Sequence, residues 1–154
     1  MRITILCVGK LGSAPEAVLA REWAKRAGQV GRPHGLFPVD IVEIEARKSG
    51  KAAEAEVLLG RVQGACLVAC DEHGSALASR AFAGWLGALR DDGTPDLVFA
   101  IGGADGLEAG VIAAAQRTLA FGPQTWPHAL VRAMLAEQLY RAATLMAGQP
   151  YHRD

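Results

Sequence analysis

Two hydrophobic rhythms take turns along this chain. Residues 2 to 8 (RITILCV) are almost unbroken apolar up to Gly9, which suits a strand covered on both faces. Ser13 is then placed to cap a helix with Ala14 and Pro15 in its first turn. Leu19, Trp23, Ala27 and Val30 recur at helical spacing until Gly28 and Gly31 mark the end. Residues 31 to 38 form a Gly/Pro connector that contains His34. Val39 to Glu45 (VDIVEIE) alternates apolar and acidic positions, as in a strand with one solvated face or at a sheet edge. A basic loop, Arg47-Lys48-Ser49-Gly50-Lys51, leads into a helix through about Gln63 and then a third strand, Ala65 to Cys70. Asp71 to Ser75 is polar and holds Gly74, so it reads as a turn. Ser79 caps the next helix, whose Phe82, Trp85, Leu86 and Leu89 share one face. Asp91 to Pro95 turns the chain into a fourth strand, Asp96 to Ile101. A short helix from Leu107 to Ala115, a fifth strand, Thr118 to Phe121, and a long helix after Pro127 follow. Strands alternating with helices predict an α/β fold with a mostly parallel sheet.

Composition narrows the class. At 154 residues the chain has the length of one domain, with no linker or repeat to divide it. Apolar runs stay far short of the ~20 residues that span a membrane, and the N-terminal run lacks a signal-peptide pattern, so the expectation is a cytoplasmic protein. Cys7, Cys66 and Cys70 fall in or at the ends of strands and read as reduced core thiols, with no metal expected. The 16 basic residues balance 16 acidic ones, which excludes nucleic-acid binding by bulk charge and leaves only local patches. Arg21, Lys25 and Arg26 form one such patch, and Arg47, Lys48 and Lys51 another.

Candidate chemistry sits at strand ends, where ligands bind open parallel sheets. Three loops qualify, after Cys70, after Ile101 and after Phe121. Ile101-Gly102-Gly103-Ala104-Asp105-Gly106 lacks the order of a dinucleotide fingerprint, and the basic loop before residue 52 lacks the pattern of a P-loop. A small adenosine-type ligand held by backbone groups fits these loops better.

The IGGADGL loop, the segment FGPQTWPHALVRAMLAEQLYRA and the terminal QPYHRD together resemble the ribosomal RNA large-subunit methyltransferase H family of the SPOUT superfamily. The first strand, the basic loop and the CDEHG stretch match in order, so the resemblance spans the chain. It implies an α/β knot with a five- to six-stranded sheet, whose C-terminal helix passes through a loop to make a trefoil. It further implies a homodimer that transfers a methyl group from S-adenosylmethionine to N3 of a pseudouridine in 23S rRNA of the assembled 70S ribosome. Carried over by position, the cofactor contacts are Cys70, Gly102, Phe121, Gly122, Pro123, Gln124, Thr125 and Trp126. Cys70 replaces the family's usual leucine, and Pro123-Gln124 is a departure within the loop. The related possibilities are a SPOUT enzyme acting on tRNA and a ribosome-binding SPOUT protein without turnover.

Methyl transfer to an imide nitrogen needs alignment of donor and acceptor and loss of the N3 proton. His152 is the candidate proton acceptor or orienting donor, because imidazole titrates near neutrality. Tyr151 is expected to stack on the target base or bond to it, and Arg153 to contact a uracil carbonyl or a phosphate. Arg47, Lys48, Lys51 and Arg132 are the RNA-contact candidates, Arg132 alternatively meeting a partner subunit. His128 is expected to hold the loop against the helix start, and Glu137 with Arg141 to form a surface ion pair at i, i+4. Val131, Met134, Leu135, Leu139, Ala142 and Met146 make the stripe assigned to core or dimer interface.

Overall fold

A computed structural model describes residues 1–48 and 50–153, so Ser49 and Asp154 of the expected basic loop and tail lie outside the described residues. Among the described residues five strands form one parallel sheet: β1 (Arg2–Val8), β2 (Val39–Ile44), β3 (Cys66–Ala76), β4 (Asp96–Ile101) and β5 (Arg117–Ala120). Their order is β2-β1-β4-β3-β5, which places the alternating VDIVEI strand at an edge, as its pattern requires. The helices are α1 (Pro15–Gly31), α2 (Lys51–Arg61), α3 (Ser79–Asp91), α4 (Ala109–Ala114) and α5 (His128–Met146). None of them is long and apolar enough to cross a membrane.

Strand alternation divides the core into two layers. Ile3, Ile5, Cys7, Phe99 and Ile101 point to the face covered by α1, α3 and α5. Leu6, Val8, Val98 and Ala100 point to the opposite face, where α2 and α4 supply Ala55, Leu58 and Val111. The period of two in the strands thus feeds both layers from the same segments.

Four local expectations are corrected. Neither Ser13 nor Ser79 caps a helix: the cap positions are Ala14 and Ala78, and the Ser79 hydroxyl donates instead to Gln138 Oε1 at 2.9 Å. Asp71 to Ser75 is no turn but the outer half of β3, which rejoins β5 after a register shift between Cys70 and Ser75. Gly74 makes this pairing possible, since a Cβ there would lie 2.7 Å from the backbone of Thr118 and Leu119. Finally, α1 buries an alanine and glycine face, including Ala17, Ala20, Ala24 and Ala27, while Leu19 is 47% exposed and Trp23 half-buried. Small side chains let α1 lie close against α5, leaving its larger apolar residues outside.

Candidate active site

A cleft of ≈ 690 Å³ opens where β4 and β5 end, beside Cys70 to His73 in the middle of β3. Ile101, Leu107, Leu119 and Val131 give its lining apolar surface, and Gly102, Gly103 and Gly106 bring backbone to it. Gly102 folds the β4 loop tightly, because a Cβ there would stand 2.5 Å from the Gly106 carbonyl carbon. Gly106 N–H donates to Gly103 O at 3.1 Å and closes the turn. Such a cleft suits a purine-bearing ligand of drug-like size, and ionisable side chains, Lys51, Asp71, Glu72, His73, Asp105 and His128, line it alongside the glycines.

Six of the expected cofactor residues line this cleft: Cys70, Gly102, Phe121, Gln124, Thr125 and Trp126. Gly122 faces an adjoining groove, and Pro123 lines neither. The β5–α5 loop is held by two side chains. Thr125 Oγ1 donates to a Glu72 carboxylate oxygen across from β3, and Trp126 Nε1 donates to Phe121 O at 3.2 Å. Burial raises the Cys70 thiol well above its ordinary value and pushes Cys7 up to about 12, so both stay protonated. All three cysteines are free thiols.

Several lining residues lay outside the sequence-based cofactor set. Lys51, expected on RNA, sits at the start of α2 and lines the cleft, as do Asp71 and His73 of the extended β3. Asp71 Oδ1 accepts from the backbone and the ring Nδ1 of His73, at 2.9 and 3.0 Å. His128 begins α5 at the cleft edge, and burial, then the nearby Arg132, lowers its pKa. The loop after Cys70 that the strand-end rule picks out in the sequence already covers Asp71 and His73, although both belong to the outer half of β3.

Arg132 is corrected. Expected on an RNA or partner face, it is 1% exposed: Nη1 donates to Glu43 Oε1 at 2.9 Å, and Nη2 to Val8 O at 2.6 Å and Gly9 O at 3.0 Å. It therefore ties α5 to the ends of β1 and β2. Arg47 and Lys48 remain on the surface, exposed beside the cleft's Lys51.

The tail forms a second cluster, at the far end of α5. Tyr151 does not present a bare ring for stacking. Its hydroxyl donates to Glu137 Oε1 at 2.9 Å, its ring meets Tyr140 edge-on at 4.7 Å, and the Arg141 guanidinium lies 4.7 Å over it. Burial, then the Glu137 bond, raises the Tyr151 pKa. Glu137 and Arg141 do pair, at 2.5 Å, but with side chains only 18% and 23% exposed they form an anchor rather than a solvated surface pair. His152 is half-buried beside Arg141, and Arg153 is exposed. From His128 to Arg141 the helix rises about 20 Å, so cleft and tail stand well apart within one chain.

Comparison with known proteins agrees with this geometry. The family described as predicted SPOUT methyltransferase matches residues 1–152. The ribosomal RNA large subunit methyltransferase H of Caulobacter vibrioides is 65% identical over 100% of this chain and 99% of its own. That of Phenylobacterium zucineum is 57% identical over the full length of both. A crystal structure of a probable methyltransferase from Bordetella pertussis Tohama I shares the fold, with a TM-score of 0.52 at 17% identity, covering 92% of this chain and 96% of that one. The chain belongs to the SPOUT methyltransferase family, within its ribosomal RNA large subunit methyltransferase H group.

Proposed function

We propose that this chain is a single SPOUT domain, 1–154, that methylates N3 of a pseudouridine in 23S rRNA of the assembled 70S ribosome, in the cytoplasm. The observation that carries the reading is the glycine-turned cleft at the ends of β4 and β5, beside the middle of β3, in a chain whose relatives at 57–65% identity are named for large-subunit rRNA methylation. S-adenosylmethionine, held by Cys70, Gly102 and the loop from Phe121 to Trp126, supplies an electrophilic methyl group. The trefoil knot expected of the family would bring that loop and α5 through the chain beside the cleft.

The same reading includes a homodimer. An apolar groove of ≈ 620 Å³ runs from Phe121 and Gly122 past Leu19, Leu130 and Met134 to Trp23 and Glu137, joining cleft loop to tail anchor along one face. Val18 is 56% exposed next to Leu19 on α1, and Trp126 is 40% exposed at the loop end of this face. A second copy packed across it supplies what one chain lacks, since the tail lies about 20 Å of helix from its own cleft. In this arrangement His152 and Arg153 of one protomer complete the cleft of the other, while Arg47, Lys48 and Lys51 meet the RNA backbone.

The deciding experiment incubates the protein with labelled S-adenosylmethionine and 70S ribosomes, free 23S rRNA or tRNA, and maps the modified nucleotide. Label at a pseudouridine of 23S rRNA in ribosomes is expected. Label in tRNA, or none anywhere, overturns the reading. Mixing H152A protomers with cleft-dead G102W protomers tests the dimer: activity should return only in the mixture.

A further inference from the structure

The loop between β5 and α5 does not hold its shape through its own backbone. Among the described residues, residues 122 to 126 make no hydrogen bond between backbone groups, and Pro123 to Trp126 are exposed. Amides left open in this way can meet a ligand, but no ladder or helix keeps them in one arrangement. Order must come from side chains. Trp126 Nε1 donates to Phe121 O at 3.2 Å and closes the loop on itself. The one hydrogen bond from residues 122 to 126 to another strand or helix, among the described residues, runs from the Thr125 hydroxyl to Glu72 Oε2 on β3.

Glu72 stands on a fixed support. The β3–β5 ladder sets both Cys70 and Ser75 opposite Leu119, so Asp71 to Gly74 stand out of it. Asp71 Oδ1 accepts from His73 N at 2.9 Å on one side of Glu72, and Ser75 Oγ donates to Thr118 O at 3.2 Å where the strand rejoins β5. Glu72 and Thr125 both line the cleft.

We propose that Glu72 is a positioning residue for the cofactor: from the β3 excursion it holds Thr125, and through Thr125 the whole loop, in the arrangement that binds S-adenosylmethionine. The inference rests on the reading that the cofactor occupies this cleft. A loop ordered before its ligand arrives removes the ordering cost from binding, so the bond acts on affinity. An exposed contact of this kind contributes little to the stability of the fold. The register shift in β3 thereby gains a use, since a regular ladder would leave no residue standing out toward the loop.

Two measurements on the full-length protein test this. Nitrogen-15 relaxation of the ligand-free protein should show the amides of Gly122, Gln124, Thr125 and Trp126 more mobile in E72A, and independently in T125V, than in the wild type. Calorimetry should show S-adenosylmethionine binding about tenfold weaker in each, no weaker in the double variant, and within about threefold of wild type in E72Q, whose amide oxygen still accepts. Melting temperatures should stay within about 2 °C of wild type. Unchanged loop mobility, unchanged affinity, additive losses in the double variant, an E72Q loss equal to that of E72A, or a larger fall in melting temperature overturns the proposal. The reading beneath it fails separately: S-adenosylmethionine added to the wild type should shift the amide signals of Gly102, Gly103, Thr125 and Trp126, and shifts confined to other residues would place the cofactor elsewhere.

Discussion

Helix α5 is fastened at each end by an arginine, and the two are built in opposite ways. Arg132, near the cleft, is buried and bonds to backbone carbonyls and to Glu43, on segments distant in sequence. Arg141, near the tail, is partly open and bonds to side chains of its own helix and of the tail that follows. Removing a fully buried charge leaves its partners desolvated and unpaired, whereas a pair that is about a fifth exposed regains part of its water. On the proposed reading, the cleft end is a matter of folding and the tail end a matter of presenting chemistry. The same division runs through the site: backbone shapes the cleft, side chains build the tail.

The largest expected effect comes from deleting residues 151 to 154. Methyl transfer should fall by about 10²-fold or more, the scale of losing one positioned catalytic group, while cofactor affinity by calorimetry changes less than about twofold. A matching loss of cofactor affinity would erase the distinction between the two ends. Arg132→Met comes next, with a stability loss of about 3 kcal/mol and a melting temperature lower by roughly 10 °C. Adding Glu43→Gln to it should recover part of that loss, because the stranded carboxylate is then gone. Arg141→Met should cost no more than about 1 kcal/mol. Equal losses for the two arginines would break the comparison.

The sequence made the sheet and the cleft legible and hid the fastenings, for reasons visible in particular residues. Unbroken apolar runs placed β1 and β4, and the alternation in VDIVEI marked an edge strand before any partner was known. On α1, however, Leu19 and Trp23 satisfy the helical period as well as Ala17, Ala20, Ala24 and Ala27 do. Only the close approach of α5 decides that the alanines go inside. Asp71 to Ser75 looked like a turn because its polar residues pair with a β5 segment more than 40 residues away, through Gly74. An arginine in a helix reads as surface, and Arg132 is buried only because Glu43 is folded onto it from the edge strand. The packing of Tyr151 is hidden for the same kind of reason: Trp23, which flanks it, belongs to α1.

Smaller effects sharpen the picture on the RNA side. Replacing Arg47, Lys48 and Lys51 by alanine should weaken ribosome binding about tenfold and reduce the salt slope of binding by about two to three. If Lys51 serves mainly the cleft that it lines, K51A alone should weaken cofactor binding, and R47A with K48A should leave that binding unchanged.

The mildest prediction concerns His128, at the cleft end of α5. Burial and Arg132 lower its folded pKa below the ordinary 6.5, and the positive end of the helix acts in the same direction. Between the lowered value and 6.5 the unfolded chain binds more protons than the folded one, so stability rises with pH there. The contribution is complete above the unfolded value and is lost as pH falls through the folded one. Because the ring is half-exposed, solvent screening keeps the effect to a fraction of ~1 kcal/mol. His128→Asn should therefore flatten the wild-type decline in melting temperature between pH 7 and pH 5, by a degree or so at most, without moving the pH dependence of methyl transfer above pH 7. An unchanged acid-side decline in that variant would mean that His128 ionises as freely in the fold as out of it, and that the helix start is held by Arg132 alone.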